Sequence, residues 1–255
     1  NNWSSIIWWQ DGQHWWEGKG LLPKVVLPMF TSPLGGFVLG MLLMGVLFAS
    51  ISFLAARSGW LQRLARPRFL NVLFGKAQIF SAGAMGFSHG MNDAQKTMGI
   101  IALALAGATS AGIMDQLPDW AHFLRIEEDA DKQFDIALWI KVTCAIVMAS
   151  GTAMGGWRII KTLGHKLVKL HPINGFAAET ASASVILAAS HWGIPVSTTH
   201  NISAAILGVG AAKRFSAIKW TIVERMAWAW VLTIPITGAL AWGLMRLLNA
   251  MGLGT

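Results

Sequence analysis

Apolar runs separated by short basic clusters set the pattern of this chain. Residues 37–56 carry no charge and, as a helix, are long enough to cross a hydrocarbon core of roughly 30 Å. Arg57, Arg63, Arg66 and Arg68 follow at once and place that end on the cytoplasmic side. The next apolar region, 77–114, would reach about 57 Å as one helix, more than a bilayer needs. Its middle, GFSHGMNDAQK at 86–96, sets polar side chains between glycines and predicts a discontinuous helix. The loop over 115–135 has only Arg125 and Lys132 as basic residues and reads as external. A span over 136–155, with Lys141 placed to snorkel, leads to Arg158, Lys161, Lys166 and Lys169, again inside.

The region 173–212 is apolar, rich in small residues, and followed by Lys213, Arg214 and Lys219. Basic residues on both sides mean that it enters and leaves on one face, either as two short spans or as a re-entrant hairpin. The first arm holds Ala177, Ala178, Thr180, Ala181, Ser182, Ala183 and Ser184, which suit helix packing rather than lipid contact. A hairpin with its tip at Gly193-Ile194-Pro195 is therefore predicted. A final span covers 226–245, with a kink expected at Pro235. The expected fold class is all-α: a polytopic membrane protein with a broken transmembrane helix and a re-entrant helical hairpin. Residues 1–30, with Trp3, Trp8, Trp9, Trp15 and Trp16, form an interfacial segment ahead of a membrane domain over 31–255.

Composition agrees. The 255 residues are 54% hydrophobic and 13% charged, with 14 Trp and no Tyr. A soluble domain carries about twice that charged fraction. The net charge of +8 lies in clusters between apolar runs, so the positive-inside pattern accounts for it and nucleic acid is not an expected partner. Cys144 is the single cysteine and forms no intrachain disulfide. No basic region followed by an apolar run opens the chain as a signal peptide would.

Candidate chemistry gathers at the two interruptions. Pro195 followed by Ser197, Thr198 and Thr199 predicts a helix N-terminus, where unpaired N–H groups and a positive dipole favour an anion. The bland alternative is a hydroxyl cap or a bond back to the preceding turn. Asn92 and Asp93 offer oxygen ligands suited to a hard cation such as sodium, against the alternative of a capped helix end with Asp93 paired to Lys96. An intramembrane carboxylate without a role is costly. Glu179 is open between a proton site, a cation ligand and half of a buried pair. Lys96 is open between neutralising Asp93 and attracting an anion. His89 and His200 read as orienting partners, since no cysteine or paired-histidine spacing supports zinc. An intramembrane hydrolase using Ser197, His200 and Asp93 is disfavoured, because a Ser and a His on one helix turn do not reach triad geometry.

SHGMNDAQKTMGI and GIPVSTTHNISAAILGVGAAKRF resemble the two signature motifs of the inorganic phosphate transporter (PiT) family. GGWRIIKTLGHKLVKLHPINGFAAE resembles the segment before the second motif, and the likeness runs from about Thr31 onward. Met91 departs from the Ala usual before Asn-Asp. The resemblance implies secondary transport of inorganic phosphate coupled to sodium or protons, built from two inverted repeats, and no enzyme activity. By that likeness Ser197, Thr198 and Thr199 bind phosphate. By the same likeness Asn92 and Asp93 take part in binding the coupling ion; the residues themselves make that pair candidate sodium ligands, add Glu179 as a coupling-ion or gating candidate, and leave Gly90, Gln95, Lys96 and His200 as supporting groups.

One Asn-Asp motif and one Pro-Val-Ser-Thr-Thr-His motif occur where the family has two of each, so the chain resembles the C-terminal repeat. A midplane site would then be only half walled. The implied partners are phosphate, the bilayer, and the N-terminal repeat or a second chain, in the plasma membrane (the inner membrane of a bacterium). No cofactor is implied beyond the coupling ion. A phosphate sensor or subunit without transport, and transport of sulfate or another tetrahedral oxyanion, are the alternatives.

Overall fold

A computed structural model of the chain describes Gly20 and residues 22–126, 136–161 and 171–252. Most of the Trp-rich segment lies outside these residues. Its last part is a π-helical turn, Leu22–Val26, that runs into α1, Leu27–Ala55. Then follow α2 (Trp60–Leu64), α3 (Pro67–Ser110), α4 (Leu138–Lys161), α5 (Pro172–His191), α6 (Thr198–Lys213) and α7 (Trp220–Ala250). Three stretches are long and apolar enough to cross a membrane: Leu22–Ala55, Leu138–Trp157 and Val223–Ala250. They cover the three simple spans expected from the apolar runs, to within two residues at the ends of the first two. Pro33 lies within α1 and Pro235 within α7, and neither ends its helix.

One expectation is overturned. Residues 86–96 do not interrupt α3, which runs unbroken for 44 residues, about 66 Å. Gly86 and Gly90 sit inside it with open space where a Cβ would be. The polar residues pair at helical spacing, His89 with Asp93 and Asp93 with Lys96. Met91, Ala94, Gln95, Lys96 and Met98 are strong helix formers, and they outweigh the two glycines.

The expected hairpin is present as α5 and α6, which stand between α1 and α3. Along α1 the buried positions are Pro28, Ser32, Gly36, Gly40 and Met44, one every fourth residue. This ridge lies on α6. A Cβ on Gly40 would stand 2.6 Å from the Ala205 carbonyl oxygen, and one on Gly36 would strike Asn201. From the other side, Gly208 sits directly on the Phe37 carbonyl. Contacts at 36/201 and 40/205 advance together, so the two helices run parallel. The core here is Met44, Ala177, Ala178, Ala181, Ala205, Ile206 and Val209. Small side chains bring the backbones close, the packing that works in lipid.

α3 likewise runs parallel to α5. Phe74 meets Phe176 with ring centroids 5.6 Å apart, while Asn92, five turns on, meets Ser190. Beyond the hairpin tip, α3 packs on α4 through Ala102, Ala106, Ile140 and Cys144. The hairpin therefore stops partway along α3, and both its arms open toward the end of α3 that carries Arg66 and Arg68. α7 is peripheral, and none of its most apolar stretch is buried in the protein.

The close approach of α1 and α6 gives a first prediction. Gly208→Ala should lower the stability of the detergent-solubilised protein by about 1–3 kcal/mol, because the new methyl meets backbone that cannot yield. Gly45→Ala, with nothing within 4 Å of its Cβ, should be neutral or slightly stabilising. Thermal unfolding of the two variants side by side checks this.

Candidate functional site

The hairpin tip is built by two helix ends. α5 closes in a Schellman motif: Ile194 N donates to the Ala189 carbonyl (2.9 Å) and Gly193 N to the Ser190 carbonyl (3.1 Å). Gly193 takes φ +64°, the left-handed conformation that this end requires. Ile194, like Met85 of α3, then packs against the cluster of Ile186, Ala189 and Val196. Pro195 cannot continue the helix, and Ser197 opens the next one as its N-cap, its Oγ accepting from His200 N at 3.4 Å. That cap satisfies one of the orphan N–H groups of the first turn of α6.

α3 carries the facing stripe. Phe74, Gln78, Ser81, Met85, Ser88 and Asn92 recur at alternating steps of four and three and form the face toward α5. Near the open end of the hairpin, Glu179 accepts from Ser81 Oγ at 2.5 Å and Gln78 Nε2 at 3.5 Å. Gly175 makes room for Gln78, which lies where its Cβ would be. Near the tip, Asn92 is 4% exposed and donates from Nδ2 to Ser190 Oγ at 3.0 Å. Asn92 Oδ1 is buried and has no hydrogen-bond partner. A second buried amide, Asn201, donates to the carbonyl and the Oγ of Ser182 (3.0 and 3.1 Å), tying α6 to α5.

Asp93 joins α3 to the tip. Its Oδ2 accepts from the buried Thr198 hydroxyl at 3.1 Å, and His89 Nδ1 lies 3.5 Å from the same oxygen. Its Oδ1 is 3.0 Å from Lys96 Nζ. Lys96 also donates to the Val196 carbonyl at 2.5 Å, just before the N-cap of α6. An ammonium, a hydroxyl and a helix N-terminus thus stand beside one carboxylate. The first three favour an anion, and the carboxylate offers acceptors to a cation or to an acidic proton.

The structure brings together Asp93, Lys96, Thr198 and, one residue on each side, Asn92 and Ser197. Thr199 and Gln95 lie exposed beside them, and Gly90 is part of the helix backbone. His200 points elsewhere and stacks on Trp230 of α7, with ring centroids 4.2 Å apart. Glu179 does not belong to the cluster. Its partners on α3 precede Asp93 by at least twelve residues, about 18 Å along the helix. Ser190, Ser81, Gln78 and Asn201 were not singled out from sequence. The four-and-three stripe along α3 is the signal that finds Ser81 and Gln78, whereas Ser190 and Asn201 carry no such signal in the sequence.

Three comparisons bear on the chain. The model described as the phosphate transporter family matches residues 3–241. The chain is 38% identical over 232 residues to a probable low-affinity inorganic phosphate transporter of Rhizobium meliloti (strain 1021), covering 91% of this chain and 57% of that one. It is 39% identical over 181 residues to a protein of the same description from Bacillus subtilis (strain 168), covering 70% and 49%. The chain thus spans about half the length of these curated relatives. Among solved structures it resembles the sodium-dependent phosphate transporter, with a TM-score of 0.54 at 21% identity, over 88% of this chain and 58% of that one. That likeness establishes the fold.

The two neighbouring threonines should behave differently. Thr198→Val removes the hydroxyl that binds Asp93 and should cost about 1–3 kcal/mol. Thr199→Val, on an exposed side chain, should stay within about 0.5 kcal/mol. Denaturation of each variant in one detergent makes the comparison.

Proposed function

Since the chain belongs to the phosphate transporter family, we propose that it carries one half of a secondary transporter that moves inorganic phosphate across the plasma membrane, coupled to sodium or protons. The observation that carries this reading is the junction of Asp93, Lys96 and Thr198 at the N-terminus of α6. Phosphate is a tetrahedral anion with oxygens to accept hydrogen bonds and, near neutral pH, a proton to donate. The helix N-terminus, the exposed Thr199 and Lys96 donate to its oxygens, while Asp93, held by the Thr198 hydroxyl, accepts its proton. Sulfate carries no such proton and leaves Asp93 unanswered, so sulfate should compete poorly.

The coupling cation would be a co-substrate held by oxygen. The Asp93 carboxylate and, one residue before it in the chain, the buried and unpartnered Asn92 Oδ1 each have the oxygen-donor chemistry that a hard cation takes. Glu179, held by Ser81 and Gln78 lower on the same interface, would serve gating or a second coupling step rather than bind phosphate.

The site is one-sided. Asp93 and Lys96 side chains keep 26% and 36% of their surface exposed, and Thr199 and Gln95 are open beside them. Charged and polar groups in that state do not face lipid. A second repeat, supplied by the same protein or by another chain, would wall the other side, as in transporters built from inverted repeats.

Radiolabelled phosphate uptake into proteoliposomes tests the proposal. The chain assembled with the complementary repeat should take up phosphate, and Asp93→Asn should reduce uptake at least tenfold, the effect of losing about 1.4 kcal/mol or more. The chain alone should take up none. Phosphate binding without uptake by the assembled protein would favour the sensor reading instead.

A further inference from the structure

We propose that Lys96 is the switch that makes cation and phosphate binding depend on each other; this rests on the transport reading above. Its ammonium lies between Asp93 Oδ1 at 3.0 Å and the Val196 carbonyl at 2.5 Å, and so bridges α3 and the hairpin tip. Both partners are oxygens. Beside them stands the Thr198 hydroxyl, bound to the other Asp93 oxygen. Carboxylate, carbonyl and hydroxyl oxygens are ligands that a hard cation takes. The ammonium therefore holds Asp93 as a tethered stand-in for sodium.

The same pair also restrains the anion side. Lys96 is the only ammonium or guanidinium within salt-bridge distance of Asp93 among the described residues, and His89 Nδ1 stands 3.5 Å off the opposite oxygen. Glu179 is engaged with Ser81 and Gln78 and does not face Lys96. A phosphate at the α6 N-terminus must compete with Asp93 for the ammonium, and a sodium ion must compete with the ammonium for Asp93. Either ligand alone breaks the pair and strands one charge in a half-buried site, which is costly. Together they exchange partners: sodium pairs with Asp93, the dihydrogen phosphate monoanion with Lys96, and no charge is left over. Cooperative binding follows without any distant conformational signal, and by linkage the effect must be equal in both directions.

Equilibrium binding tests this on the assembled transporter, this chain with its complementary repeat. Labelled phosphate is titrated with and without saturating sodium, and labelled sodium with and without saturating phosphate, choline replacing sodium throughout. In the wild type each ligand should tighten the other by the same factor, about tenfold or more. In Lys96→Met that factor should fall below about twofold while sodium alone binds tighter than in the wild type, since its competitor is gone. Lys96→Arg, which keeps a cation there, should retain most of the factor and serves as the folded control.

A structural staple would give another pattern: Lys96→Met would weaken both ligands and leave their mutual factor unchanged. That result overturns the proposal, as does a wild type whose phosphate affinity ignores sodium. A wild type that binds no phosphate at all would instead overturn the transport reading.

Discussion

Helix ends cannot be left bare inside a hydrocarbon layer, and the hairpin tip is where this chain meets that constraint. α5 ends by folding its last carbonyls onto Gly193 and Ile194, and α6 begins with Ser197 over its first turn. What these local devices leave over is polar, and α3 answers it from outside the hairpin. Asn92 reaches Ser190, Asp93 reaches Thr198, and Lys96 reaches the Val196 carbonyl. The residues that make the tip tolerable in a membrane are thus the residues that give it chemistry.

Close packing makes this arrangement possible. Gly36, Gly40 and Gly208 let α1 and α6 approach backbone to backbone, and Gly175 of α5 makes room for the Gln78 side chain of α3. Lipid offers no hydrophobic gain for helix association, so shape and interhelical hydrogen bonds must fix the pairing. Here Asn201, fully buried, joins α6 to Ser182 of α5, and the two parallel pairs set the register of the tip against α3. A slip of one turn on either pair would carry Thr198 away from Asp93.

The hairpin was legible because its signals agree: Gly193 and Pro195 stop a helix, Ser197 starts one, and the arms are made of small residues. The stretch at 86–96 was misread because glycine and polar residues have two meanings. They mark a break where nothing pairs them, but on a helix the spacing from His89 to Asp93 and from Asp93 to Lys96 lets them satisfy one another. Of the alternative visible in the sequence, a capped helix end with Asp93 paired to Lys96, the pairing is present and the helix end is not, and the second partner of Lys96, the Val196 carbonyl, was not legible at a separation of 100 residues. Glu179 could not be sorted from Asp93 by sequence, because their separation depends on α3 and α5 running parallel. Ser190 shows the same limit: its role follows from the register of two helices rather than from its neighbours in the chain.

A structure of the assembled transporter with phosphate bound is the most direct test of the central claim, that phosphate sits at the junction of α3 with the hairpin tip. The account predicts phosphate density within hydrogen-bonding distance of Lys96 Nζ and the first turn of α6, with the Asp93–Lys96 pair opened. Phosphate found elsewhere, with Lys96 still held by Asp93 and the Val196 carbonyl, would contradict it.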